Sequence, residues 1–154
     1  MAAMFADFLR RLGSPSPQPL PDSDARLALT ALLVRVAKAD AQYSVEEIRC
    51  IDRIIATRYG LNPVEAAQLR AQAEHLEHEA PDTVRFTRAI KDAIPFEERL
   101  AVIEALWDIV LADGEREEHE MALLRLVAPM LGIADQDSAH ARRRVSAARG
   151  LAPD

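Results

Sequence analysis

One stretch of this chain is written twice. The segment from Leu33 through Ala39-Asp40 to Glu47 returns 73 positions later as Leu106, Ala112-Asp113 and Glu120. Tyr59-Gly60-Leu61 then matches Leu131-Gly132-Ile133 at an offset one residue shorter. A repeat of this length marks a supersecondary unit made twice. Each copy reads as an apolar helix, an acidic turn and a second helix. Two such units are expected to face each other in one all-α domain.

Composition agrees with that expectation. A chain of 154 residues is one domain long and can bury roughly two-thirds of its unfolded surface. Apolar residues make up 49% but aromatics only 5%, so Leu, Ile, Val and Ala must fill the core. The abundance of Ala, Leu, Glu and Arg favours helix. A net charge of −6 argues against non-specific nucleic-acid binding, which needs clustered Lys and Arg. The single cysteine, Cys50, cannot form an internal disulfide. It falls among Ile48, Ile51 and Ile54 and reads as a small core residue. No run approaches the ~20 apolar residues of a membrane span, and no secretion signal is legible. The expected compartment is the cytoplasm, with membrane association at most peripheral, at the inner membrane.

The repeat is embedded in a longer organisation. Residues 2–12 read as a short amphipathic helix with Phe5, Phe8, Leu9 and Leu12 on one face, ended by Gly13. It reads first as a helix docked on the domain, and alternatively as a membrane-surface or partner anchor. Prolines at 15, 17, 19 and 21 block helix and favour an extended linker. This divides the chain into an N-terminal helix (1–13), a Pro-rich linker (14–24) and a helical domain (25–149), whose halves cover about 27–78 and 100–149. The first helix of the domain begins near Ser23-Asp24, with Leu29, Leu32, Leu33 and Val36 as its stripe. Ser44-Val45-Glu46-Glu47 fits a capping box, Gly60 closes that helix, and Asn62-Pro63 opens the next. Pro81 and Ile94-Pro95 bound a short helix. Leu100, Ile103, Leu106, Trp107 and Val110 form the stripe of the helix that follows. Gly114 suits a left-handed C-cap. Two further helices are expected, near 117–131 and 135–149. Trp107 reads as core, and Arg142-Arg143-Arg144 as a solvated basic face near a helix C-terminus.

The blocks LLVRVAKADAQYSVEEIRCIDRI and LWDIVLADGEREEHEMALLRLVAPMLGI resemble the TerB family, the tellurite-resistance-associated helical domain. Its fold is similar to the N-terminal domains of some membrane-anchored J-domain co-chaperones. The pattern is an apolar helix ending in Ala-Asp-Gly-Glu, a short turn, a Glu opening the next helix, and Leu-Gly-Ile. The second copy holds it fully at Asp113, Gly114, Glu115 and Glu120. The first carries Ala41 and Gln42 in place of Gly and Glu. The resemblance implies a bundle of about seven or eight helices with pseudo-two-fold halves. It also implies bacterial stress biology and association with a divalent cation, calcium above all. It brings no catalytic reaction with it.

The acidic turns carry a reading of their own. Asp113, Glu115, Glu117 and Glu120 place carboxylates at relative positions 1, 3, 5 and 8. Hard cations such as Ca²⁺ take six to eight oxygens, and crowded carboxylates repel one another until a cation settles among them. Asp40 and Glu47 are the corresponding pair in the first copy. The loop is not an EF-hand, whose Gly and Glu stand at positions 6 and 12. Coordination would be more open, with affinity on the order of 10⁻⁴–10⁻³ M. The competing reading is structural: acidic residues in a first turn complement the helix dipole, and Glu47 already belongs to the capping box. Glu117, replacing Ser44, is a poor N-cap, which favours the acidic-patch reading in the second copy.

Other chemistry is less well supported. His75 and His78 stand three apart within Glu74–Glu79, but no third zinc ligand is evident. His119 and His140 are isolated. The chain has no Glu-x-x-His pair, phosphate-binding glycine loop, nucleophile elbow or paired-cysteine motif. The first expectation is a non-enzymatic stress-response module that binds a divalent cation and engages a protein partner. The alternative is a pure protein-interaction domain whose acidic surface docks a basic partner without metal. Acid–base catalysis by a buried carboxylate pair comes third.

Overall fold

The computed structural model describes residues 22–39, 42–79, 83–112 and 118–151. The expected helix over residues 2–12 and the prolines that follow it lie outside them. Seven helices are described: α1 (Asp22–Ala37), α2 (Val45–Tyr59), α3 (Pro63–Glu79), α4 (Thr83–Ala93), α5 (Phe96–Val110), α6 (Glu118–Met130) and α7 (Asp135–Ala148). No strand occurs among the described residues. The chain is an all-α bundle, as the sequence predicts.

Helix α1 is the axis of the bundle. Every residue from Ala28 to Val34 is buried. Seven consecutive buried positions cover the whole circumference of a helix, so the expected stripe of Leu29, Leu32, Leu33 and Val36 is only part of what α1 hides. Its polar member is satisfied locally: the Thr30 hydroxyl donates to the Arg26 carbonyl at 2.7 Å. Helices α2, α3, α4, α5 and α6 all pack against α1. Its partner in the second copy, α5, buries Val102, Ile103, Leu106, Trp107, Ile109 and Val110.

The internal repeat is visible in this packing. Helix α1 lies chiefly on α3, as α5 lies on α7, and α1 and α5 pack on each other. The two copies are thus related by a pseudo-two-fold that exchanges α1 with α5, α2 with α6 and α3 with α7. Helix α4 stands between the copies.

Helix ends follow the sequence signals. Ser44 Oγ accepts from the Glu47 N–H at 3.1 Å, while Glu47 Oε1 accepts from the Ser44 N–H at 3.0 Å. Asn62 and Glu65 repeat the device at α3: the Glu65 N–H donates to Asn62 Oδ1 at 2.8 Å and the Asn62 N–H to Glu65 Oε1 at 3.0 Å. Each box satisfies two backbone donors that a helix N-terminus would leave unpaired. Gly60 ends α2 at φ 64°, and Gly132 follows α6 at φ 75°. Both lie in the left-handed region that a side chain disfavours.

Candidate cation site and its surroundings

Glu47 sits in the first turn of α2, directly after the turn that leaves α1. The capping box draws its carboxylate back over the helix N-terminus, and the residue is 1% exposed. Oε1 is held by the Ser44 N–H, whereas Oε2 is buried and makes no hydrogen bond among the described residues. A buried oxygen left in that state costs about 1–3 kcal/mol. The capping box therefore accounts for half of this carboxylate and leaves the other half unexplained.

Glu120 occupies the same place in the second copy, in the first turn of α6, and is also 1% exposed. The repeat thus buries one glutamate in each half, at positions where an exposed helix start would ordinarily keep acids in solvent. The other expected ligands, Asp40, Asp113, Glu115 and Glu117, lie outside the described residues. Among the described residues, no three of His, Cys, Asp and Glu gather into a group that could hold a metal ion. The chemistry of the donors nevertheless suits a hard cation: the buried side chain at both equivalent positions is a carboxylate.

A polar network beside the first turn escaped the sequence reading. The Tyr43 hydroxyl, just before α2, donates to Glu74 Oε2 of α3 at 2.6 Å. Arg70 bridges the same Glu74 and Asp52 of α2, at 3.3 and 2.6 Å. Burial is the main cause that raises the Tyr43 hydroxyl above its ordinary pKa, and the bond to Glu74 adds to it. One turn further along α3, Glu77 accepts from Arg35 Nε at 3.3 Å and Lys38 Nζ at 2.8 Å, at the C-terminal end of α1. The segment around Glu74 and Glu77 reads from sequence as a hydrated acidic face. In the structure His75, His78 and Glu79 fit that description, while Glu74 and Glu77 clamp α3 onto the turn and onto α1. The Arg70/Glu74 spacing of four is the one sequence signal that pointed to this.

A second network surrounds the lone thiol. Asp108 of α5 accepts from Arg53 of α2 at 3.2 Å and from Arg149 beyond α7. Both guanidinium groups also reach Cys50 Sγ at 3.5 Å. Cys50 is 2% exposed, and burial pushes its thiol up to about 12, with Asp108 adding to the rise against the opposing arginines. It is a core residue, as its neighbours in sequence predict.

Nor is the basic run of α7 simply solvated. Arg142 lies over the Trp107 ring at 5.7 Å, and Arg144 pairs with Glu104 at 2.7 Å. Arg143 approaches His140 Nδ1 at 3.3 Å on the exposed side.

A duplicated helical hairpin that sinks one glutamate per copy at the start of its second helix defines a class: acidic-turn, pseudo-symmetric all-α domains. Residues 26–143 match the model of the family described as Tellurite resistance protein TerB. The match covers well over half of the chain, and the chain belongs to the TerB family. It matches no curated protein and no solved structure. Among the described residues, no helix is long and apolar enough to cross a membrane.

Proposed function

We propose that this chain is a non-enzymatic module of a bacterial stress response. In this reading its two acidic turns take up a divalent cation, calcium being the reference case, and its helical faces engage a protein partner. One observation carries it: Glu47 and Glu120, equivalent positions of the repeat, are both 1% exposed, and Oε2 of Glu47 is buried without a hydrogen bond among the described residues. Ion-pair and capping roles explain carboxylates such as Glu77, Asp108 and Glu65. They leave that oxygen unexplained, and a cation is the partner that would satisfy it. Glu47 with Asp40, and Glu120 with Asp113, Glu115 and Glu117, would supply the oxygen ligands.

Calcium titration followed by thermal melting tests this. A ligand at ten times its dissociation constant stabilises the native state by about 1.4 kcal/mol, which for a domain of this size is roughly 3–6 °C. The expected rise occurs at millimolar calcium and disappears when Glu47→Gln is combined with Glu120→Gln. A melting temperature indifferent to calcium, or a rise that survives the double substitution, removes the cation from the proposal. The domain would then be left as a metal-independent interaction module.

A further inference from the structure

Helix α4 has no copy among the described residues of the first repeat. It precedes α5, lies across α1 and α6, and buries Thr87 and Ile90. The pseudo-two-fold turns α1 into α5 and α6 into α2, so the seat matching that of α4 lies across α5 and α2. At that place the bundle has an open groove of about 390 Å³, lined by apolar Leu29, Ile54 and Val102 among others and by charged Arg53, Arg58 and Asp108. Leu29 and Val102 are themselves repeat mates, 73 positions apart. One of two equivalent seats is therefore filled by a helix, and the other is an open groove of mainly apolar lining with charged side chains among it.

We propose that residues 2–12 of the same chain occupy this groove, as the missing counterpart of α4. Chain order supports it, because that segment precedes α1 as α4 precedes α5. So does the sequence: Phe8-Leu9-Arg10-Arg11-Leu12 parallels Phe86-Thr87-Arg88-Ala89-Ile90. Leu9 and Leu12 fall on the buried Thr87 and Ile90, and Arg10 falls on the exposed Arg88. The apolar face of Phe5, Phe8, Leu9 and Leu12 gives the segment the one-sided character such a seat requires. The tether is long enough. Residues 13–21, alternating with proline, span up to about 28 Å at about 3.1 Å per residue, while Leu29 lies only about 10 Å along α1 from Asp22 at 1.5 Å per residue. Tethering also gives the segment an effective concentration in the millimolar range, so modest contacts suffice to hold it. The seat is independent of any cation.

Paramagnetic broadening in the full chain tests the seat. With the single thiol removed by Cys50→Ala, a nitroxide is attached through Glu97→Cys, one turn from Ala101 on α5, or through Ala122→Cys on α6. Trp107 emission checks that each variant is folded. Amide signals of residues 2–12 are expected to be lost with the label at 97, retained with the label at 122, and recovered at 97 when Phe8→Asp and Leu12→Asp are added. Signals indifferent to the label at 97 overturn the proposal. So does broadening that appears only between spin-labelled and isotope-labelled copies in a mixture, which would put a second molecule in the groove.

Discussion

The Trp107 indole N–H donates to the Ser138 hydroxyl at 3.1 Å, a buried hydrogen bond that ties α5 to α7 across 31 positions of sequence. Trp107 is 4% exposed and Ser138 7%. Removing the acceptor leaves the indole donor buried and unsatisfied, which costs about 1–3 kcal/mol. Ser138→Ala should therefore lower the unfolding free energy by that amount, seen as a lower urea midpoint with an unchanged slope of the transition. Trp107 is the sole tryptophan, so its emission reports the unfolding directly. An unchanged midpoint would mean the bond contributes nothing.

Gly60 and Gly132 offer a matched comparison. Both have positive φ, and a Cβ at Gly60 would meet nothing within 4 Å, whereas one at Gly132 would come within 2.9 Å of Arg99 Nη1. That nitrogen donates to the Leu131 carbonyl at 2.8 Å. Gly60→Ala should cost about 1 kcal/mol for the left-handed backbone alone. Gly132→Ala should cost more, because the Arg99 bond must shift as well. Equal losses in denaturant titrations would contradict the role given to Arg99.

How far the sequence could be read is clear from these elements. Both copies of the repeat, the Ser44 box, the Asn62 start and the Gly60 stop were legible, because each depends on neighbours a few residues apart. The burial of α1 on all sides was not: its stripe predicts one hidden face, and only the arrival of helices on the remaining faces hides the rest. The roles of Glu74, Glu77 and Arg142 were missed for the same reason. Their partners Tyr43, Arg35 and Trp107 are 31, 42 and 35 positions away, and no local pattern selects them. Of the six residues expected at the cation site, Glu47 and Glu120 were marked by the repeat as equivalent. Their burial was not foreseen, since acids in a first helical turn normally face water.

Alkaline pH should weaken the fold. Burial raises Cys50 from 9.0 to about 12, and raises Tyr43 above its ordinary value together with its bond to Glu74. In both cases the native state holds the proton more tightly than the unfolded chain does. Their contribution is therefore complete below the unfolded pKa and is lost as pH climbs through the folded one. Urea midpoints should stay level up to about pH 9 and decline above it. Tyr43→Phe, which cannot titrate, should shrink the decline. Cys50 should also resist thiol reagents at pH 8 until the chain unfolds, and rapid labelling of the native protein would refute its burial.

Glu47→Gln separates the capping role from the charge. Glutamine can still accept from the Ser44 N–H, so the box survives, while a buried charge is removed. Stability without calcium should be unchanged or higher, whereas Ser44→Ala, which breaks the box, should cost about 1 kcal/mol. Melting both variants in a calcium-free buffer distinguishes the effects. A Glu47→Gln variant that loses as much as Ser44→Ala would mean the carboxylate is needed for stability even without a cation.

Because α1 is wrapped by α3, α4, α5 and α6, its apolar surface finds its last shelter only when residues near 130 have been made. A ribosome producing this chain releases early the helix that ends up most enclosed, and its final cover late. Its chief cover, α3, is complete by Glu79, but the faces turned to α4, α5 and α6 stay bare until the second copy arrives, and neighbours in the cell are asked to tolerate them.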